Sequence, residues 1–287
     1  MRARAPASTA NLGPGFDTLA LALSLYVDVE VVSADRLVVR STGEGAELPA
    51  DASHLAARVA LEVVGHDRLA ITVSSEIPVG RGLGSSAALA VATAAACGAR
   101  DPLGVGVAVD GHPENAAASV AGGLVAATMV RGVPRVTSLD LDRGLAFVVL
   151  VPERPLPTAR ARRVLPTEVP MADATFNLGR LAMLVAGLGD RRRLSHEATE
   201  DRLHQDYRSA LFPEAPMALS RLATAGARAT CWSGAGPSIL GICDIEDAEG
   251  VRARGEAILK EAGVSGQALL LEADRVGLTT ERTLGLH

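Results

Sequence analysis

Hydrophobic positions along the chain switch between two periods, and the switches mark out the elements. Residues 26–32 alternate apolar and polar side chains in the period of two that buries one face of a strand, and residues 37–40 read as its antiparallel hairpin partner. After Asp51 and Ser53, both good helix N-caps, residues 54–64 carry apolar side chains at helical spacing, and residues 69–73 return to strand. A glycine-rich loop over 78–88 then runs into an alanine-rich helix that ends near Cys97. Gly122 and Gly123 precede a strand-like run at 124–130, and residues 145–151 are continuously apolar, as in a strand covered on both faces. These segments predict one α+β lobe. Beyond Pro155, Leu156 and Pro157 the pattern turns helical, with apolar residues throughout 172–188 and a proline near the start of 216–225. Strands return at 229–232 and 238–243 around a glycine turn, and residues 248–262 followed by 268–271 read as helix then strand. The expected division is a first lobe of residues 1–153 and a second of residues 154–287, with no internal repeat.

Composition narrows the chemistry. The 287 residues are 48% hydrophobic with only four Phe, two Tyr and one Trp, so the core is built from Ala, Val and Leu. The 28 basic residues include a single lysine, Lys260. A Walker-type phosphate loop, a protein-kinase site and a pyridoxal enzyme each need a lysine inside a motif, and the surroundings of Lys260 match none of them. Any phosphate must be held by another device. A net charge of −5 leaves no footprint for nucleic acid, and Arg191, Arg192 and Arg193 read as a solvated turn. Cys97, Cys231 and Cys243 lack C-x-x-C spacing and are odd in number, which fits reduced thiols of a cytoplasmic protein better than zinc or disulfides. No signal peptide opens the chain, and the most apolar run, 87–96, is too short to span a bilayer, so no membrane partner is expected.

The loop before the alanine-rich helix is the richest segment. Gly80, Gly82 and Gly84 remove Cβ atoms that would keep the backbone from a ligand, and the helix then starts at Ser85 or Ser86 with unpaired N–H groups. That combination makes an anion cradle, and a serine hydroxyl there could also ligate magnesium. A tight strand-to-helix turn with serine caps would use the same residues, so the loop alone does not decide. Its spacing differs from G-x-G-x-x-G, and no acidic residue ends a strand about 20 residues on, which disfavours a dinucleotide. Two further glycine-containing segments shift the balance: 6–17, P-A-S-T-A-N-L-G-P-G-F-D, and 233–237, S-G-A-G-P.

The order and content of these three segments resemble the GHMP kinases, the superfamily of galactokinase, homoserine kinase, mevalonate kinase and phosphomevalonate kinase. The central motif P-x-x-x-G-L-G-S-S-A-A matches completely at Pro78, Val79, Gly80, Arg81, Gly82, Leu83, Gly84, Ser85, Ser86, Ala87 and Ala88. Within the superfamily, 6–17, Gly111-His112-Pro113-Glu114-Asn115, 161–166, 200–208 and 233–237 follow the order of the homoserine kinase branch. The resemblance covers residues 6 to about 240 and assigns no function beyond Ile245. It implies an α+β, two-lobed GHMP kinase fold, with an N-terminal ribosomal-S5-like lobe and a C-terminal ferredoxin-like lobe. It also implies ATP on the residues of the central motif, with Ser233, Gly234 and Gly236 as a second glycine loop, and a homodimer. For L-homoserine, Asp17 would take the ammonium, Arg162 and Arg208 the carboxylate through the bidentate fork lysine lacks, and Asn11 and Asn115 would lie near the reacting hydroxyl. Mg2+ would sit on Ser86 and Asp110, where Asp110 replaces the usual glutamate with a carboxylate one methylene shorter, and Glu114-Asn115 stands for an Asp-Asn pair. Asparagine at the reacting hydroxyl implies phosphoryl transfer without a strong base.

Each of these residues also has a plain structural use. Asp17 can cap a helix, Asn11 can stabilise a turn, Arg162 sits beside Arg160 and Arg163 on what would be a solvated face, and His112 beside a proline is more often structural. Two other functions remain open: a superfamily kinase for another alcohol such as mevalonate, and a catalytically silent ligand-binding protein on the same fold.

Overall fold

The computed structural model describes residues 1–281; residues 282–287, the end of the second lobe read from the sequence, lie outside the described residues. Two long antiparallel strands open the chain, β1 (Arg2–Asn11) and β2 (Gly15–Ser33). The turn between them holds Asn11 and Leu12 at φ of 70° and 50°, and Asp17 just beyond at 51°. The polar stretch 6–17 is therefore the end of β1, a tight turn over 12–14 and the first residues of β2.

The next three elements, β3 (Val38–Gly43), α1 (Leu55–Val64) and β4 (Leu69–Ser75), form a β-α-β unit. Here the structure corrects the hairpin expected at 37–40. β3 pairs parallel with β4, Val38 facing Ala70, and β4 lies between β3 and β2. A parallel pair needs a crossover of a dozen residues or more, and α1 with its flanking loops supplies it. The cap of α1 also differs: His54 is the N-cap and its Nδ1 accepts the Ala56 amide at 3.2 Å, while Asp51 accepts the amide and hydroxyl of Ser53 one turn earlier.

The glycine loop enters α2 (Ser85–Ala96), which is buried on every side except at its first turn and Leu89. An all-round apolar helix belongs inside, and α2 is wrapped by α1, the first two strands and two further helices, α3 (Pro102–Asp110) and α4 (Glu114–Ala121). α3 forms despite two internal glycines, with Pro102 in its first turn and Asp101 accepting the Gly104 amide at 2.9 Å. The hairpin β5 (Leu124–Val130) and β6 (Val133–Leu139) then extends the sheet from β2.

β7 (Leu145–Pro152) leaves this sheet, although its residues were grouped above with the first lobe. After it come α5 (Thr158–Arg163), α6 (Met171–Gly189), α7 (Gln205–Ser209), α8 (Ala215–Thr224), β8 (Ala229–Trp232), β9 (Ile239–Asp244), α9 (Ala248–Glu261), β10 (Gly266–Leu271) and β11 (Thr279–Glu281). β7 is an inner strand of a four-stranded antiparallel sheet of order β10-β7-β9-β8, and β11 returns to pair with β1. Alternate β7 side chains explain why it reads as apolar throughout. Phe147, Val149 and Val151 join the core that also fills the first lobe, whereas Ala146, Val148 and Leu150 face α8 and α9. The two lobes therefore share one continuous core, and the loops that meet across it enclose a cavity.

Candidate active site

That cavity, about 560 Å³, has two unlike ends with the glycine loop between them. One end is mostly apolar, lined by Leu48, Leu55, Val79 and Leu89 together with Ser41 and His54. The other gathers Asn11, Asp17, Asp110, His112, Glu114, Asn115, Arg162 and Arg208.

The glycine loop is built from behind as much as from within. Gly80, Gly82 and Gly84 all have positive φ, and Gly84, at 64°, is the N-cap of α2 with no side-chain cap bond. The first helical bond runs from the Ala88 amide to the Gly84 carbonyl, so the amides of residues 85–87 precede the ladder and are left for a ligand at the positive end of the helix. A Cβ on Gly82 would fall 2.2 Å from the Ser233 carbonyl oxygen, and one on Gly84 would fall 2.1 Å from Ser8 Oγ and 3.1 Å from Asn115 Oδ1. Both positions must be glycine because other backbone and side chains press against them.

The remaining motif residues divide into cavity wall and support. Val79, Gly80, Gly82, Leu83, Gly84, Ser85 and Ser86 line the cavity, whereas Pro78, Ala87 and Ala88 are buried behind it. Arg81 turns away, donating from Nε to the Pro152 carbonyl at 3.0 Å and from its terminal nitrogens to the carbonyls of Val79 and Glu153. In the second glycine loop only Gly234 of the three named residues reaches the cavity. Ser233 is fully buried, donates to the Gly82 carbonyl at 2.7 Å and lies 2.9 Å from Thr9 Oγ1. Gly236 packs its backbone against the Trp232 ring. Ser233 and Gly236 thus brace the first glycine loop and do not line the cavity.

At the polar end, Arg162 donates two hydrogen bonds to Asp17, at 3.0 and 2.6 Å, so the expected ammonium anchor and one carboxylate clamp hold each other. This hydrogen bond, working against burial, holds the Arg162 guanidinium charged more firmly than usual. Arg208 is 1% exposed and its pKa is pushed down to about 10 by burial and by neighbouring Arg162. Both guanidinium carbons lie 5.6 Å from the centre of the Phe16 ring, which brings the two forks to the same wall. Asn115 accepts the Ser8 hydroxyl at 2.9 Å through Oδ1, leaving its amide N–H group at the cavity. Asn11, expected beside the reacting hydroxyl, spends both ends of its amide on the backbone: Oδ1 accepts the Asp17 amide at 3.0 Å and Nδ2 donates to the Gly234 carbonyl at 2.9 Å. It pins the Asp17 turn to the second glycine loop.

Ser86 and Asp110 lie together at the mouth of α2. Burial pushes the Asp110 carboxyl above the usual range, against the pull of His112 and the neighbouring Ser86 hydroxyl. His112 Nδ1 and Glu114 Oε1 approach to 2.7 Å without hydrogen-bond alignment, and Glu114 is 1% exposed with Oε2 unpartnered. Burial opposes charge on His112, but the nearby Glu114 outweighs it and the imidazole pKa is raised. Asp17, His112 and Glu114 bring ligand-type atoms within 4.8 Å of one another, yet both Asp17 oxygens are already held by Arg162.

Four residues of the site carried no assigned role in the sequence. Ser8 and Phe16 lie inside the first motif; Asp201 and His204 lie inside 200–208, which was singled out as a stretch but used only for Arg208. Asp201 accepts the amides of Leu203, His204 and Gln205 and the Asn177 side chain. Burial works against its charge, but the Asn177 side chain and these amides together hold its carboxyl below the usual range.

A lysine-free glycine loop with free amides at the start of a buried helix, facing a second α+β lobe, defines a class, and comparison agrees. Residues 52–123 match the GHMP kinases N terminal domain and residues 184–261 the GHMP kinases C terminal domain, and the chain belongs to the GHMP kinase family. Within it the chain is similar to homoserine kinases: that of Leifsonia xyli subsp. xyli is 40% identical over 97% of this chain and 91% of its own, and that of Streptomyces coelicolor is 40% identical over 97% and 94%. A crystal structure of homoserine kinase from Cytophaga hutchinsonii has the same fold with a TM-score of 0.82, at 25% identity over 97% of this chain and 96% of that one. The family and the two-lobed α+β architecture expected from the motifs are borne out. Among the described residues no helix is long and apolar enough to cross a membrane.

Proposed function

We propose that the chain transfers the γ-phosphoryl group of ATP to the side-chain hydroxyl of L-homoserine, forming O-phospho-L-homoserine for threonine biosynthesis. The observation that carries this reading is the junction at Gly84, where the amide cradle of α2 and Asn115 lie side by side in the same cavity as Asp17, Arg162 and Arg208. Phosphate donor and amino-acid acceptor would meet there.

The residues fit the groups the reaction needs. The apolar end suits a nucleoside base, and the free amides of 85–87 suit its phosphates. Ser86 and Asp110 offer hard oxygen ligands, and a carboxylate whose charge is penalised by burial gains from a cation. Mg2+ bound there would neutralise charge on the transferred phosphoryl group. Asp17 exchanges its Arg162 partner for the substrate ammonium, and Arg162 then joins Arg208 at the carboxylate. Asn115 orients the hydroxyl through its amide, held in place by Ser8. The family likeness supports Asn115 in the place where a base would otherwise stand, so the proton leaves late to a phosphate oxygen, and the rate comes from positioning and charge neutralisation. The same family likeness supports a cytoplasmic homodimer, and a net charge of −5 gives it no reason to bind nucleic acid.

The test is phosphate transfer from labelled ATP to a panel of alcohols, with and without Mg2+. Product with homoserine and a strict need for the cation are expected. Transfer to mevalonate in preference, or nucleotide binding with no transfer at all, would overturn the proposal; full turnover by Asn115→Ala would overturn the positioning role.

A further inference from the structure

His204 is fully buried beneath the acceptor end of the cavity, where it joins three segments. Its Nε2 lies 2.8 Å from the Gly13 carbonyl, which can only accept, so Nε2 carries the proton. Its Nδ1 lies 3.0 Å from Nη1 of Arg208, which can only donate, so Nδ1 carries the lone pair. The two bonds select one neutral tautomer. Burial agrees, pushing the imidazole pKa down to about 4. The ring is fixed further by Asp201, which accepts the His204 amide at 2.8 Å, and by stacking on Phe16 at 5.2 Å between centroids.

Arg208 is an unusual cation. Its Nη1 is shared between His204 and the Gly234 carbonyl, its buried Nε has no partner, and it forms no ion pair among the described residues. A carboxylate in the place of His204 would hold the guanidinium equally well but would neutralise it. A neutral acceptor orients the fork and leaves its charge for an incoming anion. The other end of the same imidazole grips the turn that presents Phe16 and Asp17.

We propose that His204 is a positioning residue: as a neutral acceptor it aims the uncompensated Arg208 guanidinium at the acceptor's carboxylate, and so sets the preference for a carboxylate-bearing amino alcohol. This rests on the role given to Arg208 under the proposed function.

Two substitutions separate the two nitrogens. His204→Asn keeps an acceptor near the Nδ1 position and loses the donor to Gly13; His204→Gln keeps a donor near the Nε2 position and loses the acceptor for Arg208. In the full-length enzyme, His204→Gln should raise KM for L-homoserine about tenfold or more, the usual weight of a hydrogen bond to a charged group. KM for ATP should stay unchanged, as should the inhibition constant of 3-amino-1-propanol, the same amino alcohol without its carboxylate. His204→Asn keeps the acceptor for Arg208 but frees the Gly13 turn, so any loss should fall equally on homoserine and 3-amino-1-propanol and leave the ratio of the two constants as in wild type. An unchanged homoserine KM in His204→Gln, or equal losses for homoserine and 3-amino-1-propanol in that variant, would overturn the proposal. A measurement on the unaltered protein stands beside these in case a variant does not fold: 15N chemical shifts of His204 should report the neutral Nε2–H tautomer at pH 7, and a charged imidazolium or the opposite tautomer would refute it. A wild-type protein that does not phosphorylate homoserine would sink the proposed function; an active wild type with an unaffected His204→Gln would sink only this inference.

Discussion

Replacing Gly84 by alanine strikes the point where donor and acceptor ends of the cavity meet. The new Cβ would lie 2.1 Å from Ser8 Oγ and 3.1 Å from Asn115 Oδ1, on a backbone held at φ of 64°. The left-handed conformation costs a residue with a Cβ roughly 1–2 kcal/mol. Ser8 must also swing away, and its 2.9 Å hydrogen bond to Asn115 is lost, a further contribution of about 1 kcal/mol. A loss of about 2–3 kcal/mol in a chain of this size lowers the melting temperature by roughly 5–10 °C. The kinetic effect should be larger, because Asn115 is released where the hydroxyl is aligned, and a misplacement near 1 Å costs on the order of 100-fold in rate. Thermal denaturation and steady-state ADP release measure the two effects separately. Ser8→Ala supplies the control: with the hydroxyl gone the 2.1 Å clash is removed and only the approaches of 3.1 Å to Asn115 Oδ1 and 3.3 Å to the Cβ of residue 8 remain, so the double variant should be more stable than the sum of the singles, while kcat stays low because Asn115 is still untethered. A Gly84→Ala protein with wild-type melting temperature and kcat would refute the whole chain of reasoning.

Ser233→Ala should cost about 1–3 kcal/mol in urea denaturation, since it strips the partner from the Gly82 carbonyl, and should leave KM for homoserine unchanged because the serine does not face the cavity. Arg162→Lys keeps the charge but loses the two-pronged grip seen on Asp17, so KM for homoserine should rise about tenfold with KM for ATP unaffected. His204 gives stability a defined pH dependence. Its folded pKa, about 4, lies below the ordinary imidazole value of about 6.5, so the unfolded chain takes up the proton first; stability is full above pH 6.5 and falls between there and pH 4. Denaturation midpoints against pH should show this fall in the wild type and a flatter profile in His204→Asn.

Most elements were legible in the chain because their signals are local. The alternation over 26–32, the buried run before Cys97 and the long apolar helix at 172–188 all fall where periodicity placed them, inside β2, α2 and α6. Pairing was not legible. Nothing within 37–40 says which strand lies beside it; β4 wins over β2 because α1 intervenes and carries the chain back in parallel. The apolar run at 145–151 announced that both its faces are covered but not by what, and only the packing of Phe147, Val149 and Val151 against the first lobe shows that it stitches the two sheets together.

The site divides in the same way. Sequence alone named the candidates: glycine spacing offered an anion cradle without lysine, and the order of the motifs, through the family resemblance, pointed to an acid and two arginines for a zwitterion and an asparagine in place of a base. Tertiary structure decided which of those groups are free to act. Asn11, Ser233, Gly236 and Arg81 are spent on holding loops together, Asp17 and Arg162 pair with each other, and Arg208, which forms no ion pair among the described residues, has a buried imidazole, 204 in the chain and beneath the cavity in space, as its partner. Such assignments depend on distances between residues as many as 224 positions apart, and only the folded chain sets those distances.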